Sequence, residues 1–195
     1  MQRISLLNTA HNFIKKVLHP GDIAIDATIG NGHDTLFLVE QVYPSGLVFG
    51  FDIQQIAIES TKEKIKQTNY PNCLALIHAS HTEMYKAIPS KYHGNIKAIM
   101  FNLGYLPGGD KTIITSTDST ITALNSSCHL LSSNGIITII AYPGHSGGDL
   151  ETVQVTNWCD QLDITQFEAH VIYSSTDKQS APRLFVIHKL TNSYE

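Results

Sequence analysis

Ile23-Ala24-Ile25-Asp26-Ala27-Thr28-Ile29-Gly30-Asn31-Gly32-His33-Asp34-Thr35 opens as a short apolar run over 23–27 and closes as a turn of small residues. The run reads as a buried strand. Glycines at 30 and 32 let the chain turn sharply and let a ligand approach the backbone. A helical pattern follows over about 34–42. The stretch is therefore the first strand–turn–helix unit of an α/β chain.

The unit recurs on moving outward. Pro44-Ser45-Gly46 marks a turn, 47–52 a second strand, and 54 to about 68 a second helix with Ile56, Ile58 and Ile65 among its apolar positions. A third strand is expected over 74–77, followed by a short helix near Met84, and a fourth over 96–101. A fifth strand over 136–141 lies between helices over about 119–131 and 150–161. Two consecutive strands, 168–173 and 184–189, close the pattern around a polar hairpin loop, 174–182. This alternation predicts a Rossmann-like α/β fold: a mostly parallel sheet, helices on both faces, and one antiparallel strand near the C-terminus. No repeat or linker divides the chain, so one domain over 1–195 is expected. Leu6, Leu7, Ala10, Phe13, Ile14, Val17 and Leu18 form an apolar helical stripe ended by His19-Pro20-Gly21. This helix, within 1–20, is an addition to the core. It either covers the ligand cleft or forms a dimer surface.

Composition narrows the function classes. The chain has 195 residues, 42% hydrophobic and 15% charged, enough for a core and against wholesale disorder. No run reaches the roughly 18 apolar residues of a membrane helix. Residues 1–18 lack a signal-peptide pattern, because Asn8, His11 and Asn12 interrupt it and Lys15 and Lys16 follow it. Cys73, Cys128 and Cys159 are scattered and form no C-x-x-C pair, which points to reduced thiols in a cytoplasmic protein and to no metal site. Thirteen basic against 17 acidic residues leave a net charge of −4, which argues against a partner held mainly by phosphate contacts. Yet Arg3, Lys15, Lys16, Lys111, Lys178 and Arg183 fall in the first helix and in loops bordering the expected cleft. A local basic rim, few phosphate contacts and recognition through the nucleoside are compatible with that balance.

Ligands on such sheets bind beyond the carboxyl ends of the strands, and the informative residues stand there. After strand one, the dinucleotide pattern G-x-G-x-x-G fails at Thr35. Asp26-x-x-x-Gly30-x-Gly32 is closer to the loop of class I methyltransferases, although a plain strand-to-helix turn is the simpler reading. Asp52 lies about twenty residues further on, where an acidic residue binds ribose hydroxyls or caps the next helix. After strand three, Ser80 or His81 is placed to meet an adenine amino group, and Ser80 or Thr82 to cap the chain locally. His78 and His81 have metal-ligand spacing but no matching pair. Asn102-Leu103-Gly104-Tyr105 follows strand four, where methyltransferases of exocyclic base amines carry Asp/Asn-Pro-Pro-aromatic. Asn102 would orient the target nitrogen, Tyr105 would stack on the base, and 106–117, with Lys111, would form a lid. After strand five, Tyr142 is placed to stack on a base and His145 to accept a proton.

Asp26-Ala-Thr-x-Gly-Asn-Gly-x-Asp-Thr35, Phe51-Asp52-Ile53-Gln54, Ser80-His81, Asn102-Leu-Gly-Tyr-Leu-Pro-Gly-Gly-Asp-Lys111 and Tyr142-Pro-Gly-His-x-Gly-Gly-x-x-Glu151 together resemble the YtqB/MnmM-type family of small bacterial class I methyltransferases, earlier described as rRNA methylases. The resemblance runs over nearly the whole chain. It implies S-adenosyl-L-methionine as cofactor and a tRNA anticodon stem-loop as partner. The implied reaction is N-methylation of 5-aminomethyl-2-thiouridine at the wobble position, giving 5-methylaminomethyl-2-thiouridine. An rRNA or small-amine substrate at the same cofactor site is the alternative. The resemblance places cofactor contacts at Asp26, Thr28, Gly30, Asn31, Gly32, Asp34, Thr35, Asp52, Ile53, Gln54, Ser80, His81, Asn102 and Gly104. It places substrate contacts at Tyr105, Lys111, Tyr142, Gly144, His145 and Arg183, and catalysis at Asn102, Tyr142 and His145. A homodimer is left open. The loop 176–183 departs from the family pattern in being less rich in Asn and Pro. N-methylation needs no covalent cysteine, in keeping with the scattered thiols. Two other classes compete: a nucleotide-binding oxidoreductase, opposed by the missing third glycine, and a non-catalytic RNA-binding module.

Overall fold

A computed structural model describes residues 5–70, 72–104, 115–144, 147–174 and 181–191. Tyr105, Lys111 and His145 lie outside the described residues. The elements in chain order are α1 (Leu6–Lys15), β1 (Ile23–Asp26), α2 (His33–Val42), β2 (Leu47–Asp52), α3 (Gln55–Lys66), β3 (Leu74–His78), α4 (Met84–Ala87), β4 (Ile96–Asn102), α5 (Thr117–Leu130), β5 (Leu131–Ala141), α6 (Gly148–Asp160), β6 (Phe167–Tyr173) and β7 (Arg183–Lys189).

One seven-stranded sheet has the order β3-β2-β1-β4-β5-β7-β6. The first five of these strands are mutually parallel, and β7 runs antiparallel to both β5 and β6. The expected single antiparallel strand is β7, inserted beside β5 so that β6 becomes the edge. The order reverses between β1 and β4, and that reversal opens a crevice at the carboxyl ends of the two strands.

Continuous apolar strands arise because both faces of the sheet are covered. Successive residues alternate between the faces. Ile25, Ile99, Ile137, Phe185 and Ile187 pack with Leu124, Val155 and Trp158 of α5 and α6. Ala24, Ala98, Ile136, Leu184 and Val186 pack with Leu6, Ala10, Ile14, Phe37 and Leu38 of α1 and α2. Thus α1, the element outside the repeat, lies on the sheet against β5 and β7.

Two boundaries differ from the periodic reading. Helix α1 stops at Lys15 instead of reaching Leu18, because Val17 and Leu18 both turn back to the Ile14 carbonyl. Strand β5 begins at Leu131, five residues early, with a register shift before Ile136. Asn134 there has φ 56°, and Lys189 Nζ donates to the Cys128 and Leu131 carbonyls, 2.9 and 2.8 Å, closing the end of α5. A cap supplied from β7 is invisible to a local pattern. Among the described residues no helix is long and apolar enough to cross a membrane.

Candidate active site

The β1 turn is built around Asp26, which is buried. Its Oδ1 accepts the Thr28 backbone N–H at 3.1 Å and its Oδ2 accepts the Thr35 hydroxyl at 2.6 Å. Burial and the nearby Asp34 charge push the Asp26 carboxyl up to about 7, against these two hydrogen bonds. Gly30 and Gly32 both have positive φ, 53° and 72°. A Cβ on Gly32 would sit 2.3 Å from the Thr61 hydroxyl, so the turn requires glycine there.

Asp52, at the end of β2, ties this turn to the next helix. Its Oδ2 accepts the Gly30 N–H at 2.9 Å and its Oδ1 accepts the Gln54 N–H at 2.8 Å. Asp52 is not the N-cap of α3, which is Gln54; it holds the Gln54 N–H from two residues further out, and each of its oxygens retains acceptor capacity. Beyond β3, Ser80 caps a single 3-10 turn by accepting the Thr82 N–H at 3.2 Å. His81 is buried with no partner at Nε2. Burial lowers its pKa, opposed by the Ala27 carbonyl and the Asp52 charge.

The β4 end is held by side chains distant in sequence. The Thr28 hydroxyl accepts the Asn102 N–H at 2.7 Å. Gly104 N–H donates to the Thr115 hydroxyl oxygen at 2.9 Å, and the Thr115 N–H donates to the Gly104 carbonyl at 2.9 Å. The Thr115 hydroxyl in turn donates to Glu151 Oε2 at 2.9 Å, and Thr120 donates to Glu151 Oε1 at 2.6 Å. Glu151, in the first turn of α6, is 3% exposed. One buried carboxylate thus braces the β4 turn and joins α5 to α6. Tyr142, just past β5, is partly exposed; burial and then the Asp34 charge raise its phenol pKa.

These ends enclose a cavity of about 620 Å³ at the β1/β4 crevice. Thr28, Gly30, Asn31, Asp34, Asp52, Ile53, Gln54, Ser80, His81, Asn102, Gly104, Tyr142 and Gly144 line it. Asp26, Gly32 and Thr35 do not line it; they hold the turn from behind. Arg183 opens β7 opposite Ala141 and does not line the cavity; its guanidinium carbon lies 5.4 Å from the Tyr173 ring centre. A glycine cradle, a carboxylate with spare acceptor capacity and an orphaned buried imidazole nitrogen fit an adenosyl group, which Asp52 and His81 would hold. A cavity of this size suits a cofactor-sized ligand.

Residues 48–188 match the family model described as "Putative rRNA methylase". The chain belongs to this family. It is 39% identical over 155 residues to the tRNA (mnm(5)s(2)U34)-methyltransferase, chloroplastic, of Arabidopsis thaliana. That match covers 74% of this chain and 56% of the Arabidopsis protein, so the chain spans little more than half the length of that relative. A crystal structure of a "putative rRNA-methylase" from Clostridium thermocellum superposes with TM-score 0.90 at 37% identity, covering 97% of this chain and 100% of that one. A "putative methyltransferase" from Streptococcus mutans in complex with SAH gives 0.85 at 33%, again covering 97% and 100%.

Within this rRNA methylase family member, several cavity or bracing residues escaped the sequence reading. Leu7 of α1, His33, Thr115 and Ser119 line the cavity, and Glu151 stands behind it. Glu151 lay within the quoted Tyr142–Glu151 motif, which was its available signal. Thr115 is one of many hydroxyls in a polar stretch and carried none. Of the two roles expected for α1, covering the cleft is the one its geometry supports.

Proposed function

We propose that the chain is an S-adenosylmethionine-dependent RNA methyltransferase that N-methylates the 5-aminomethyl group of 2-thiouridine at the tRNA wobble position. The observation that carries the reading is the crevice cavity itself, lined by Asp52, Ser80 and His81 beyond β2 and β3 and by Asn102 and Tyr142 at the ends of β4 and β5. The Arabidopsis relative's name supports the substrate.

S-adenosylmethionine supplies the activated methyl group when bound. Asp52 accepts ribose hydroxyls, and the Gly30–Asn31 turn admits the methionine portion against the backbone. Ser80 and His81 border the base. The Asn102 side chain and the adjacent carbonyls orient the target nitrogen, and Tyr142 stacks on the uracil ring. Tyr105, Lys111 and His145 belong to the proposal by sequence alone. Partners proposed on the same footing are the anticodon stem-loop and a second copy of the chain. A cytoplasmic setting is proposed from the three free cysteines.

The test is nucleoside mass spectrometry after incubation with cofactor and hypomodified tRNA. Conversion of 5-aminomethyl- to 5-methylaminomethyl-2-thiouridine is expected. Methylation appearing only in rRNA or in free amines would replace this substrate by the alternative. That alternative draws on the family description and on a 26% identical match, over 45% of the chain, to ribosomal RNA small subunit methyltransferase H of Mycoplasma mycoides subsp. mycoides SC.

A further inference from the structure

Helix α1 does more than roof the sheet. His11 Nε2 lies 2.7 Å from Asp34 Oδ1, a contact between α1 and the first turn of α2. The His11 ring stacks on Phe37 with centroids 3.7 Å apart and planes 6° from parallel. The imidazole is thus fixed in position by packing as well as by its hydrogen bond. A carboxylate only accepts, so Nε2 carries the proton it shares with Oδ1. Asp34 is buried yet lines the cavity, together with Asn102, Gly104 and Tyr142. Leu7, one turn before His11, lines it too.

The proposed reaction brings an alkylammonium into this cavity, and that group must lose a proton before it can act as a nucleophile. A carboxylate held by a neighbouring donor, itself buried and lining the cavity that Asn102 and Tyr142 also line, is the chemical match for that cation. We propose that Asp34 receives the substrate ammonium and takes its proton, and that His11 is the positioning residue that aims the Asp34 carboxylate.

The inference rests on the amine-methylating reading above. One proton passes from R–NH3+ to the Asp34 carboxylate. The freed lone pair forms the N–C bond to the methyl carbon while the C–S bond breaks, its electron pair staying on sulfur. The product is a secondary ammonium, R–NH2+–CH3, and the Asp34 proton leaves to solvent. The cofactor's own ammonium is the competing occupant of this carboxylate.

The experiment combines single-turnover methylation of hypomodified tRNA with calorimetry of S-adenosylhomocysteine binding. Asp34→Asn is expected to slow methyl transfer about 100-fold or more while changing cofactor affinity less than about threefold. His11→Leu is expected to lower the rate about tenfold at unchanged cofactor affinity, and His11→Gln, which keeps a donor near the Nε2 position, to recover most of it. Parallel loss of cofactor affinity and rate in Asp34→Asn would overturn the proposal and assign the carboxylate to the cofactor. Equal rates for His11→Leu and wild type would remove His11. If Asp34→Asn does not fold, the His11→Leu and His11→Gln pair decides. Failure of the wild type to methylate any RNA amine would instead strike the function reading, a separate outcome.

Discussion

The two ends of the cavity are held by different means. The β1/β2 end, where we propose the cofactor binds, is held by carboxylates, Asp26 and Asp52, that accept backbone N–H groups directly. The β4 end, where we propose the substrate binds, is held by a relay: Gly104 to Thr115, and Thr115 to Glu151, 36 residues further along. The first turn is held in one step, side chain to backbone N–H, even where Asp52 and Gly30 stand 22 residues apart. A hydroxyl relay between helices depends on α5 and α6 docking correctly. The difference teaches that the two ends are held by separable parts, which on the proposed reading divides cofactor binding from substrate alignment.

The strongest test of that separation is Asp52→Ala. It removes two charge-assisted hydrogen bonds, each on the order of 1.5–3 kcal/mol, and the ribose acceptor. Calorimetry is expected to show at least about a 100-fold loss of S-adenosylhomocysteine affinity. Retained affinity would break the assignment of that end. Gly32→Ala comes next. Positive φ and the approach to Thr61 predict roughly 2–3 kcal/mol of destabilisation, read from urea midpoints, with partial recovery on adding Thr61→Ala.

A smaller effect is expected at the other end. Thr115→Val leaves the Gly104 N–H without its acceptor, at about 1–2 kcal/mol. Turnover is expected to fall about tenfold at unchanged cofactor affinity, and Thr115→Ser to restore it. Coupled loss of affinity would show that the two ends are not separable. The last effect is a pH slope. Burial pushes the Asp26 carboxyl up from its ordinary 3.8 to about 7, so the folded state binds more protons between those limits. Its contribution to stability therefore falls as pH rises from about 4 through about 7 and is constant outside that window. Denaturant melts at pH 5 and 8 should show this fall, and Asp26→Asn should flatten it.

Legibility followed the range of the interactions. The Gly30–Gly32 turn and Asp52 could be read because strand ends and glycines are local signals. The same held for Asn102 and Tyr142. The brace of Thr28 on the Asn102 N–H spans 74 residues, and no local pattern encodes it. The early start of β5 was hidden for the same reason, since Lys189 of β7 caps the preceding helix. His11 sits on a helix whose apolar stripe was plain. Its bond to Asp34 appears only when α1 and α2 share one face of the sheet.

By itself the sequence determined the alternation of strands and helices, the mostly parallel sheet and the Gly30–Asn31 turn that lines the cavity. Hydrophobic periodicity and glycine's backbone freedom are properties of neighbouring residues. Tertiary structure alone decided that β7 lies between β5 and β6, that Glu151 holds the β4 turn, and that α1 supplies a wall of the cavity. Those outcomes depend on which surfaces bury one another. That is settled by packing between segments far apart in the chain.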